Sequence, residues 1–387
     1  MPDYDFIIAG GGVSGLSLAF HLACSPLRGS SILVIDPNER PGRDHALSFW
    51  CDHPTPFDPV ISHSWGRLAL SDEYGLQEFD LGSYRYCSLR RAALTAFIHQ
   101  ELAACPGIEF LPGRGLEIDD DADCAQVRVG GGRTVRGRWV FDSRFLPADL
   151  SVDPRRHISL CQHFQGWEIE TSEAAFDPRT VTLFDFRVPQ KKDLRFQYLL
   201  PYSERRALVE YVLLSPDRCE ETLRGYVETT LGIHSYRILA REGGVTPLTD
   251  APFPRRAGQR VMNIGIRGGR VKPTAGYAFT RILRDSQAIV ASLTKNGHPF
   301  AVPAGSAFYQ FCDGALLRVM RDHGETVQPI YSALLTKNPI ERVFRFLDEE
   351  AAPGENLALM LSLPLGYFWQ ALLQTASARL GLSGRET

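Results

Sequence analysis

The spacing of apolar residues changes several times along the chain. Residues 5–9 form a short apolar run, and residues 14–22 carry apolar positions at helical spacing. A second apolar run, SILVID, covers 31–36. This order predicts a strand, a helix and a second strand, which is how a parallel α/β sheet begins.

The same criterion divides the rest of the chain. A helix is predicted at 91–104 and a β-ribbon at 107–142. From 166 to 215 short alternating runs are separated by Asp-Pro, Lys-Lys-Asp and Ser-Glu-Arg-Arg, which predicts an antiparallel sheet over a pocket. Beyond residue 300 helical spacing dominates, for example at 313–323 and 338–350.

Three glycines, Gly10, Gly12 and Gly15, follow the first strand in G-x-G-x-x-G spacing. Gly10 permits a tight turn, Gly12 lets the backbone approach a pyrophosphate, and Gly15 lets the helix pack close to the strand. The helix N-terminus then presents N–H groups to the phosphates. Asp36, 21 residues after Gly15, is placed to bind an adenosine ribose. The order predicts dinucleotide binding, and a structural glycine turn is the alternative.

Two later segments favour FAD over NAD as this dinucleotide. The strand at 260–266 runs into a second glycine-rich loop, and the strand end VFDSRF covers 140–145. The chain continues for a long stretch without a compact second Rossmann half, and this organisation favours FAD over NAD. An ordinary strand-to-helix loop is the alternative for the second segment. The candidate FAD-binding residues of the two segments are Asp142, Arg144, Gly268, Gly269, Pro273 and Gly276.

These patterns predict an α/β fold. It consists of an FAD-binding Rossmann-type domain, as in flavin hydroxylases and reductases, with an inserted antiparallel β-sheet substrate domain and C-terminal helices. The FAD-binding domain is predicted to be discontinuous, over 1–155 and 236–300. The inserted sheet is predicted at 156–235. The helical region at 301–387 is expected to close the pocket and to contact a membrane.

Composition narrows the class of protein. The chain has 387 residues and a net charge of −3, which gives no electrostatic reason to expect nucleic acid as a partner. Its 8 cysteines are scattered without a CxxC pair or nearby His at metal spacing, which predicts reduced thiols, a cytoplasmic protein and no metal site. The acidic start MPDYD runs straight into a strand and predicts no signal peptide.

One apolar segment bears on membrane contact. LALMLSLPLGYFWQALL at 357–373 is interrupted by Pro364 and is shorter than the about 20 residues that a membrane-spanning helix needs. One interpretation is a pair of core helices with a kink at the proline. The other is a surface that dips into the bilayer interface, where Tyr367 and Trp369 would lie.

Several stretches are specific in combination, because flavin hydroxylases in general share only the nucleotide segments. They are the fingerprint at 10–15, DHALSFW at 44–50, CQHFQGWEIE at 161–170, TLFDFRVPQ at 182–190, FQYLLPYSERRALVEYVLLS at 196–215, REGGVTPL at 241–248 and GGRVKPTAGYAF at 268–279. With these stretches the chain resembles the flavin-dependent lycopene β-cyclases of bacterial carotenoid synthesis over nearly its whole length.

The chain departs from that family at two places. The family's Asp-Arg-Thr-Trp reads Asp44-His45-Ala46-Leu47 here. Glu210 is followed by Tyr211 and Val212, where the family usually carries a second acid and a threonine. These departures bear on the identity of the substrate more than on the fold.

The resemblance implies cyclisation of the linear ψ-ends of lycopene to β-rings, giving γ-carotene and β-carotene. An acid protonates the terminal alkene, the neighbouring double bond closes a six-membered ring on the tertiary cation, and proton loss completes the ring without net redox change. The resemblance also implies reduced FAD that is not consumed, with NAD(P)H as the initial reductant. A negative charge beside the cation would stabilise it in a dry pocket.

Four residues are candidates for the acid chemistry. Glu210 lies in the apolar run ALVEYVLL, and the family's acid motif falls on it. Burial would keep this carboxyl protonated, which suits a proton donor or base, and a structural salt bridge is the alternative. Glu168 matches a family acid and is the second candidate. Asp185 and Arg187 share one face of a strand, where they could orient the acid, line the pocket or hold the sheet as an ion pair.

The aromatic residues of the same stretches have two interpretations. Trp167, Phe184, Phe186, Phe196 and Tyr198 could stack along a polyene and stabilise cations through their rings. Aromatic residues in a sheet are also ordinary core residues.

Three other functions use the same fold. A flavin monooxygenase or an isoprenoid reductase would carry out net redox chemistry, and a related cyclase would act on another polyprenoid. A carotenoid-binding flavoprotein without activity is the third. A substrate as apolar as lycopene resides in the bilayer, so we expect a cytoplasmic protein that docks on the membrane surface without spanning it.

Overall fold

The computed structural model describes residues 2–37, 44–121, 123–146, 150, 152–217, 219–364, 366, 371–373 and 375. The strands in chain order are β1 (Tyr4–Ala9), β2 (Ile32–Asp36), β3 (Ala46–Cys51), β4 (His63–Trp65), β5 (Arg67–Asp72), β6 (Gly75–Asp80), β7 (Arg85–Arg90), β8 (Ile108–Pro112), β9 (Gly115–Asp120), β10 (Ala125–Val129), β11 (Thr134–Asp142), β12 (Ser159–Thr171), β13 (Thr180–Asp185), β14 (Arg195–Pro201), β15 (Arg206–Leu213), β16 (Tyr236–Thr249) and β17 (Val261–Asn263). The α-helices are α1 (Val13–Ala23), α2 (Arg91–Ala103), α3 (Glu220–Gly225), α4 (Phe279–Asn296), α5 (Ala307–Asp322), α6 (Val327–Thr336), α7 (Ile340–Leu347) and α8 (Pro353–Ser362).

The first sheet carries the glycine loop at its centre. Its strand order is β8-β2-β1-β11-β10-β9, and β17 pairs with β11. The strands β8, β2, β1, β11 and β17 run parallel, so their carboxyl ends meet at one edge. The strands β9–β11 form an antiparallel ribbon, whereas β8, which lies inside the ribbon predicted at 107–142, pairs parallel with β2 instead. Helices α1, α2 and α4 pack on this sheet through a common apolar cluster. The predicted strand–helix–strand start and the helix at 91–104 are confirmed.

The second sheet forms the wall of a pocket. Its order is β16-β12-β15-β14-β13-β5-β6, with every pair antiparallel except β13 and β5. Two of its parts come from segments that the sequence assigned to the nucleotide domain. The strands β5 and β6 lie within 1–155, and β16 begins at Tyr236. The predicted boundaries of 156–235 are therefore too narrow for this sheet, because strand pairing is nonlocal and β16 reads as a separate segment in sequence.

The C-terminal helices cover the pocket face of the second sheet. Helices α5–α8 share an apolar cluster with strands β5, β13, β14 and β15, which joins the two layers into one core. The opposite face of the sheet packs on α3 and the chain that follows it. A small sheet of order β3-β7-β4 lies between these layers and the first sheet. The helical region predicted beyond residue 300 is confirmed over the described residues.

Candidate active site

The glycine loop links β1 to α1 with no room for side chains. Gly10 has a φ of 109°, and a Cβ there would lie 2.4 Å from Ser143 Oγ. A Cβ on Gly15 would lie 1.9 Å from the carbonyl oxygen of Gly10. Gly12 precedes the first turn of α1, whose N–H groups have no partner within the helix. The loop is a backbone cradle of the shape that a pyrophosphate requires.

Asp36 lies at the end of β2, beside this loop. Its Oδ2 accepts a hydrogen bond of 2.6 Å from the Gly11 N–H, so the carboxylate is fixed at the edge of the cradle. The neighbouring Ile35 and Pro37 line the cavity described below. Asp36 itself is not a lining residue, so its contact with a ribose stays a prediction.

The second glycine-rich segment lines the same cavity and comes close to the first, since a Cβ on Gly265 would lie 2.9 Å from Ser14 Cβ. Gly276, with a φ of 73°, lines the cavity together with Gly265 and Arg267. Gly268, Gly269 and Pro273 are not among the lining residues. A Cβ on Gly268 would meet the Asn263 carbonyl oxygen at 2.6 Å, and one on Gly269 would meet Phe253, so these two glycines shape the loop from behind.

Asp142 holds two arginines in place at the end of β11. Its carboxylate accepts hydrogen bonds from Arg144 Nε at 2.8 Å and Arg144 Nη2 at 2.9 Å, and Arg267 Nε lies 3.2 Å away. Arg144 and Arg267 line the cavity, whereas Asp142 itself does not. Direct contact with a cofactor is therefore available to Arg144, and Asp142 supports it from behind.

One cavity of about 1570 Å³ runs from the glycine loop to the C-terminal helices. Its lining includes Gly10, Gly12, Val13 and Ser14 at one end and Leu359, Met360 and Leu363 at the other. Pockets for drug-sized ligands hold roughly 300–1,000 Å³. The volume is thus large enough for a dinucleotide and part of a second, apolar molecule.

Glu210 is the carboxylate that the second sheet directs into this cavity. It lies on β15 between Tyr198 of β14 and Gly166 of β12, and it lines the cavity. The residue is 9% exposed, and its Oε1 receives no hydrogen bond from an N–H or hydroxyl donor within the described part of the chain. Burial and the neighbouring Glu242 raise the pKa of the Glu210 carboxyl well above its usual range. A protonated carboxyl therefore faces an apolar space.

Glu242 on β16 is a partner that the sequence reasoning missed. Its side chain is 5% exposed, accepts a hydrogen bond of 3.0 Å from Arg90 Nη1, and accepts another from the Ala46 N–H. Burial raises the pKa of Glu242, and Arg90 opposes that rise. In the sequence, the segment REGGVTPL stands out only because it resembles the corresponding segment of the cyclase family. Glu242 is an acid within that segment, but its local sequence does not show that β16 pairs with β12.

Glu168 lies on the same sheet face as Glu210 but outside the cavity lining. It is buried in an ion pair with Arg206, and Arg90 Nη1 is 3.9 Å from its Oε2. The structure thus gives Glu168 basic partners and no open path to an apolar substrate.

Asp185 and Arg187 do not reach the cavity either. Asp185 is 1% exposed, with Arg187 Nη2 at 2.6 Å and the Tyr226 hydroxyl donating to it at 2.7 Å. Tyr226 belongs to the core cluster on the opposite face of the sheet. The geometry favours the ion pair that holds the sheet, which is one of the three alternatives stated for these two residues.

The aromatic candidates divide between the two faces of the sheet. Phe184, Phe196 and Tyr198 line the cavity. The ring of Phe186 stacks on Phe184 with 5.6 Å between centroids, which supports the lining from behind. Trp167 is buried in the core of the opposite face. It is a core residue, as one of the two interpretations had it.

A cluster of tyrosine hydroxyls adjoins Glu210, and Tyr198 is the member of it that the sequence analysis proposed as an aromatic candidate. The Tyr86 hydroxyl is 2.8 Å from that of Tyr198 and 3.2 Å from that of Tyr277, and all three residues line the cavity. Further along the wall, Lys272 Nζ donates to Asp313 Oδ2 at 2.9 Å. No local pattern indicates that Tyr86, Tyr277, Lys272 and Asp313 belong to the site, since they come from distant segments.

The two departures from the family lie in different surroundings. Tyr211 is not a lining residue, and its hydroxyl accepts a hydrogen bond of 3.3 Å from Arg195 on the side of the sheet away from Glu210. His45, Ala46 and Leu47 do line the cavity. The first departure can therefore act on the shape of the pocket, and so can Val212 of the second, which lines the cavity, whereas Tyr211 cannot do so directly.

Some predictions concern residues that the structure leaves undescribed. Tyr367 and Trp369 lie outside the described residues. No helix in the described part of the chain is long and apolar enough to cross a membrane. Among the same residues, no group of three or more His, Cys, Asp or Glu is arranged to hold a metal ion.

The fold is that of FAD-dependent flavoproteins. A flavoprotein/dehydrogenase from Cytophaga hutchinsonii aligns with a TM-score of 0.64 at 11% identity, covering 98% of this chain and 99% of the other. A geranylgeranyl bacteriochlorophyll reductase-like protein from Thermoplasma acidophilum gives 0.57 at 12% identity, covering 98% and 97%. HpxO from Klebsiella pneumoniae, solved with FAD, gives 0.57 at 18% identity, covering 93% and 99%. The predicted fold class is confirmed.

Within this class the chain belongs to the lycopene cyclase family. The sequence profile described as "Lycopene cyclase protein" matches residues 5–373. Lycopene beta-cyclase of Pseudescherichia vulneris is 26% identical over 313 residues, covering 74% of each chain. Lycopene beta-cyclase of Pantoea ananas is 25% identical over 297 residues, covering 72% of each. The resemblance stated from the sequence is confirmed.

Proposed function

We propose that this protein is an FAD-dependent lycopene cyclase that converts the ψ-ends of lycopene to β-rings. One observation carries the proposal beyond family membership: the buried carboxyl of Glu210 faces an apolar cavity that begins at a dinucleotide-binding loop. A redox enzyme of this fold needs no strong acid at that place, whereas protonation of an alkene does.

Glu210 acts as the proton donor in this proposal. Its protonated carboxyl delivers H⁺ to the terminal alkene carbon, and the neighbouring double bond then closes the ring on the tertiary cation. The carboxylate left on Glu210 accepts the proton that the ring loses, so no electrons are gained or lost overall. The rings of Phe184, Phe196 and Tyr198 face the same space and stabilise positive charge through their π-systems.

The residues of the cradle fit FAD. The loop at Gly10, Gly12 and Gly15 would hold the pyrophosphate, Asp36 the ribose, and Arg144 and Gly276 the rest of the molecule. Reduced FAD, formed with NAD(P)H, would supply negative charge that lowers the energy of the cation without being consumed.

Expression in cells that accumulate lycopene tests the proposed function. We expect γ-carotene and β-carotene to appear at the expense of lycopene when the extracted pigments are separated by chromatography. An anaerobic assay with purified protein, FAD and NAD(P)H should show much less than one NAD(P)H oxidised per ring, because the reaction is not a net reduction. Unchanged lycopene with folded, FAD-loaded protein would contradict the proposal.

A cyclase that acts on another polyprenoid is the second candidate. His45, Ala46 and Leu47 depart from the family's sequence and line the cavity, so they can alter which polyene end fits. Product formed from a shorter or functionalised polyprenoid, with lycopene untouched, would favour this candidate over a net oxidoreductase.

We also propose that the protein docks on the membrane surface through α8. Leu357 and Leu361 are 61% and 68% exposed and lie one turn apart on the same side of the helix. Leu359, Met360 and Leu363 of the same segment line the cavity. The helix thus separates the cavity from an exposed apolar surface, which suits the entry of a polyene from the bilayer.

Co-sedimentation with lipid vesicles tests this surface. The double substitution Leu357→Glu and Leu361→Glu should lower vesicle binding by at least about tenfold, because it places two charges where apolar contact is expected. Leu239→Glu, an exposed leucine on β16, is the matched control and should bind as the unmodified protein does. Equal binding by all three proteins would refute docking through α8.

A further inference from the structure

Three residues on neighbouring strands form a row across the second sheet. Gly166 of β12 pairs with Glu210 of β15 on one side and with Glu242 of β16 on the other. Residues paired directly across a sheet point to the same face, so both carboxyl groups stand on the cavity side of β12. The residue between them has no side chain.

The glycine in the middle of this row lets the two carboxyl groups meet. A Cβ on Gly166 would lie 2.6 Å from Glu210 Cγ and 3.2 Å from Glu210 Oε1. The Glu210 side chain therefore occupies the space above Gly166, on the side of Glu242, and the Glu242 carboxyl raises the pKa of Glu210. Two carboxyl groups held this close in a buried place favour a state in which one of them is protonated.

The surroundings decide which carboxyl carries the proton. Glu242 accepts from Arg90 Nη1 at 3.0 Å and from the Ala46 N–H, contacts that favour its ionised form. Glu210 faces the apolar cavity, its Oε1 has no hydrogen-bond partner among the described residues, and burial and Glu242 raise its pKa more than Arg90 lowers it. The proton therefore resides on Glu210, and the negative charge resides on Glu242.

We infer that Glu242 is the positioning residue that keeps Glu210 protonated before the reaction and makes it a base afterwards, with Gly166 giving the two carboxyls room to meet. This inference rests on the proposed cyclase function. Glu242 is not a lining residue, so it acts through Glu210 and not on the substrate.

The proton balance of the cycle closes within this pair. The Glu210 O–H bond breaks as a C–H bond forms at the terminal alkene carbon, which leaves two neighbouring carboxylates. Their mutual repulsion favours return of a proton to Glu210. The ring C–H bond then breaks, its electron pair forms the ring double bond, and its proton restores the Glu210 O–H.

Other charged and titratable groups surround the pair from the elements packed against it. The ion pairs are Arg90 of β7 with Asp44, and Glu168 of β12 with Arg206 of β15. The single groups are Tyr198 of β14, Tyr202 after β14, Tyr277 before α4 and His63 of β4. Glu168 is paired with Arg206, and burial lowers the pKa of His63 and raises those of the three tyrosines. Among these groups, Glu242 is the acid that raises the pKa of Glu210, because its negative charge repels the ionised form.

Glu242→Gln removes the negative charge and keeps the size of the side chain. We expect the alkaline limb of the kcat–pH profile to move to lower pH by about one pH unit. At mildly alkaline pH kcat should fall about tenfold with little change in KM. Glu170→Gln, at the exposed end of the neighbouring strand β12, is the control and should leave the profile in place.

A second readout does not depend on catalysis. The infrared C=O stretch of the protonated Glu210 carboxyl, identified by its loss in Glu210→Gln, should vanish at lower pH in Glu242→Gln than in the unmodified protein. If it vanishes at the same pH, the inference is overturned. If it shifts as expected in a protein that leaves lycopene unchanged, the carboxyl pair stands and the cyclase proposal fails.

Gly166→Ala tests the same pair without altering a charge. The added methyl group should push Glu210 away from Glu242 and move the infrared titration of Glu210 in the same direction as Glu242→Gln does. Gly225→Ala, where an added Cβ meets no atom within 4 Å, is its control. An unchanged titration in folded Gly166→Ala would contradict the inferred geometry.

Discussion

Glu210→Gln abolishes ring formation while FAD stays bound: this is the largest effect that we expect. A glutamine fills the same space but cannot give up a proton to an alkene. General acid catalysis contributes roughly 10²–10⁴-fold to rate, so kcat should fall about 10³-fold or more. Pigment analysis in lycopene-accumulating cells and the flavin absorbance of the purified variant measure the two quantities. Glu210→Asp keeps the acid on a shorter side chain and should retain part of the activity.

The pH dependence of the unmodified enzyme follows from the same carboxyl. Burial first, and Glu242 second, raise the pKa of Glu210. Below that raised pKa almost all of the enzyme carries the active, protonated Glu210, and the rate falls as pH rises through the raised pKa. The contribution of protonated Glu210 to the free energy of unfolding is complete below the ordinary carboxyl pKa and is lost as pH rises through the raised pKa. Glu210→Gln should therefore lose less stability on the alkaline side, and a variant that keeps full activity would refute the assignment.

Gly15→Ala should release FAD, and we expect this to be the second largest effect. The new Cβ would lie 1.9 Å from the Gly10 carbonyl oxygen, so the glycine loop or α1 must move. Overpacking of this kind costs about 2 kcal/mol or more, which raises the Kd for FAD at least roughly 30-fold. Titration of the apoprotein with FAD, followed by flavin fluorescence, measures the change.

Gly29→Ala is the matched control for this substitution. Gly29 lies in the turn after α1, and an added Cβ there meets no atom within 4 Å. We expect unchanged FAD affinity and unchanged thermal unfolding. Circular dichroism of Gly15→Ala separates loss of the cradle from loss of the fold, and tight FAD binding by a folded Gly15→Ala protein would contradict the cofactor site.

Local sequence patterns predicted most of the first sheet. The alternation of apolar runs and the spacing of Gly10, Gly12 and Gly15 depend on neighbours a few residues away, so β1, α1 and β2 follow from them directly. Glu210 could also be found, because an acid within an apolar strand is conspicuous without any knowledge of pairing.

Strand pairing decided the rest of the candidate site. Asp185 and Glu168 have the same local pattern as Glu210, yet Asp185 meets Tyr226 across the opposite face and Glu168 meets Arg206. Glu242 lies in a strand that the sequence assigned to another domain. Partners separated by tens to hundreds of residues leave no local signal.

The sequence by itself determined the class of fold, the glycine cradle, the lycopene cyclase family and an acid in an apolar strand. The tertiary structure alone decided that Glu210 faces the cavity and that its side chain lies over Gly166, on the side of Glu242. The physical reason is that amino-acid type and spacing set periodicity and turn geometry within a segment. The pKa of a carboxyl depends instead on which charges and apolar groups the folded sheet brings next to it.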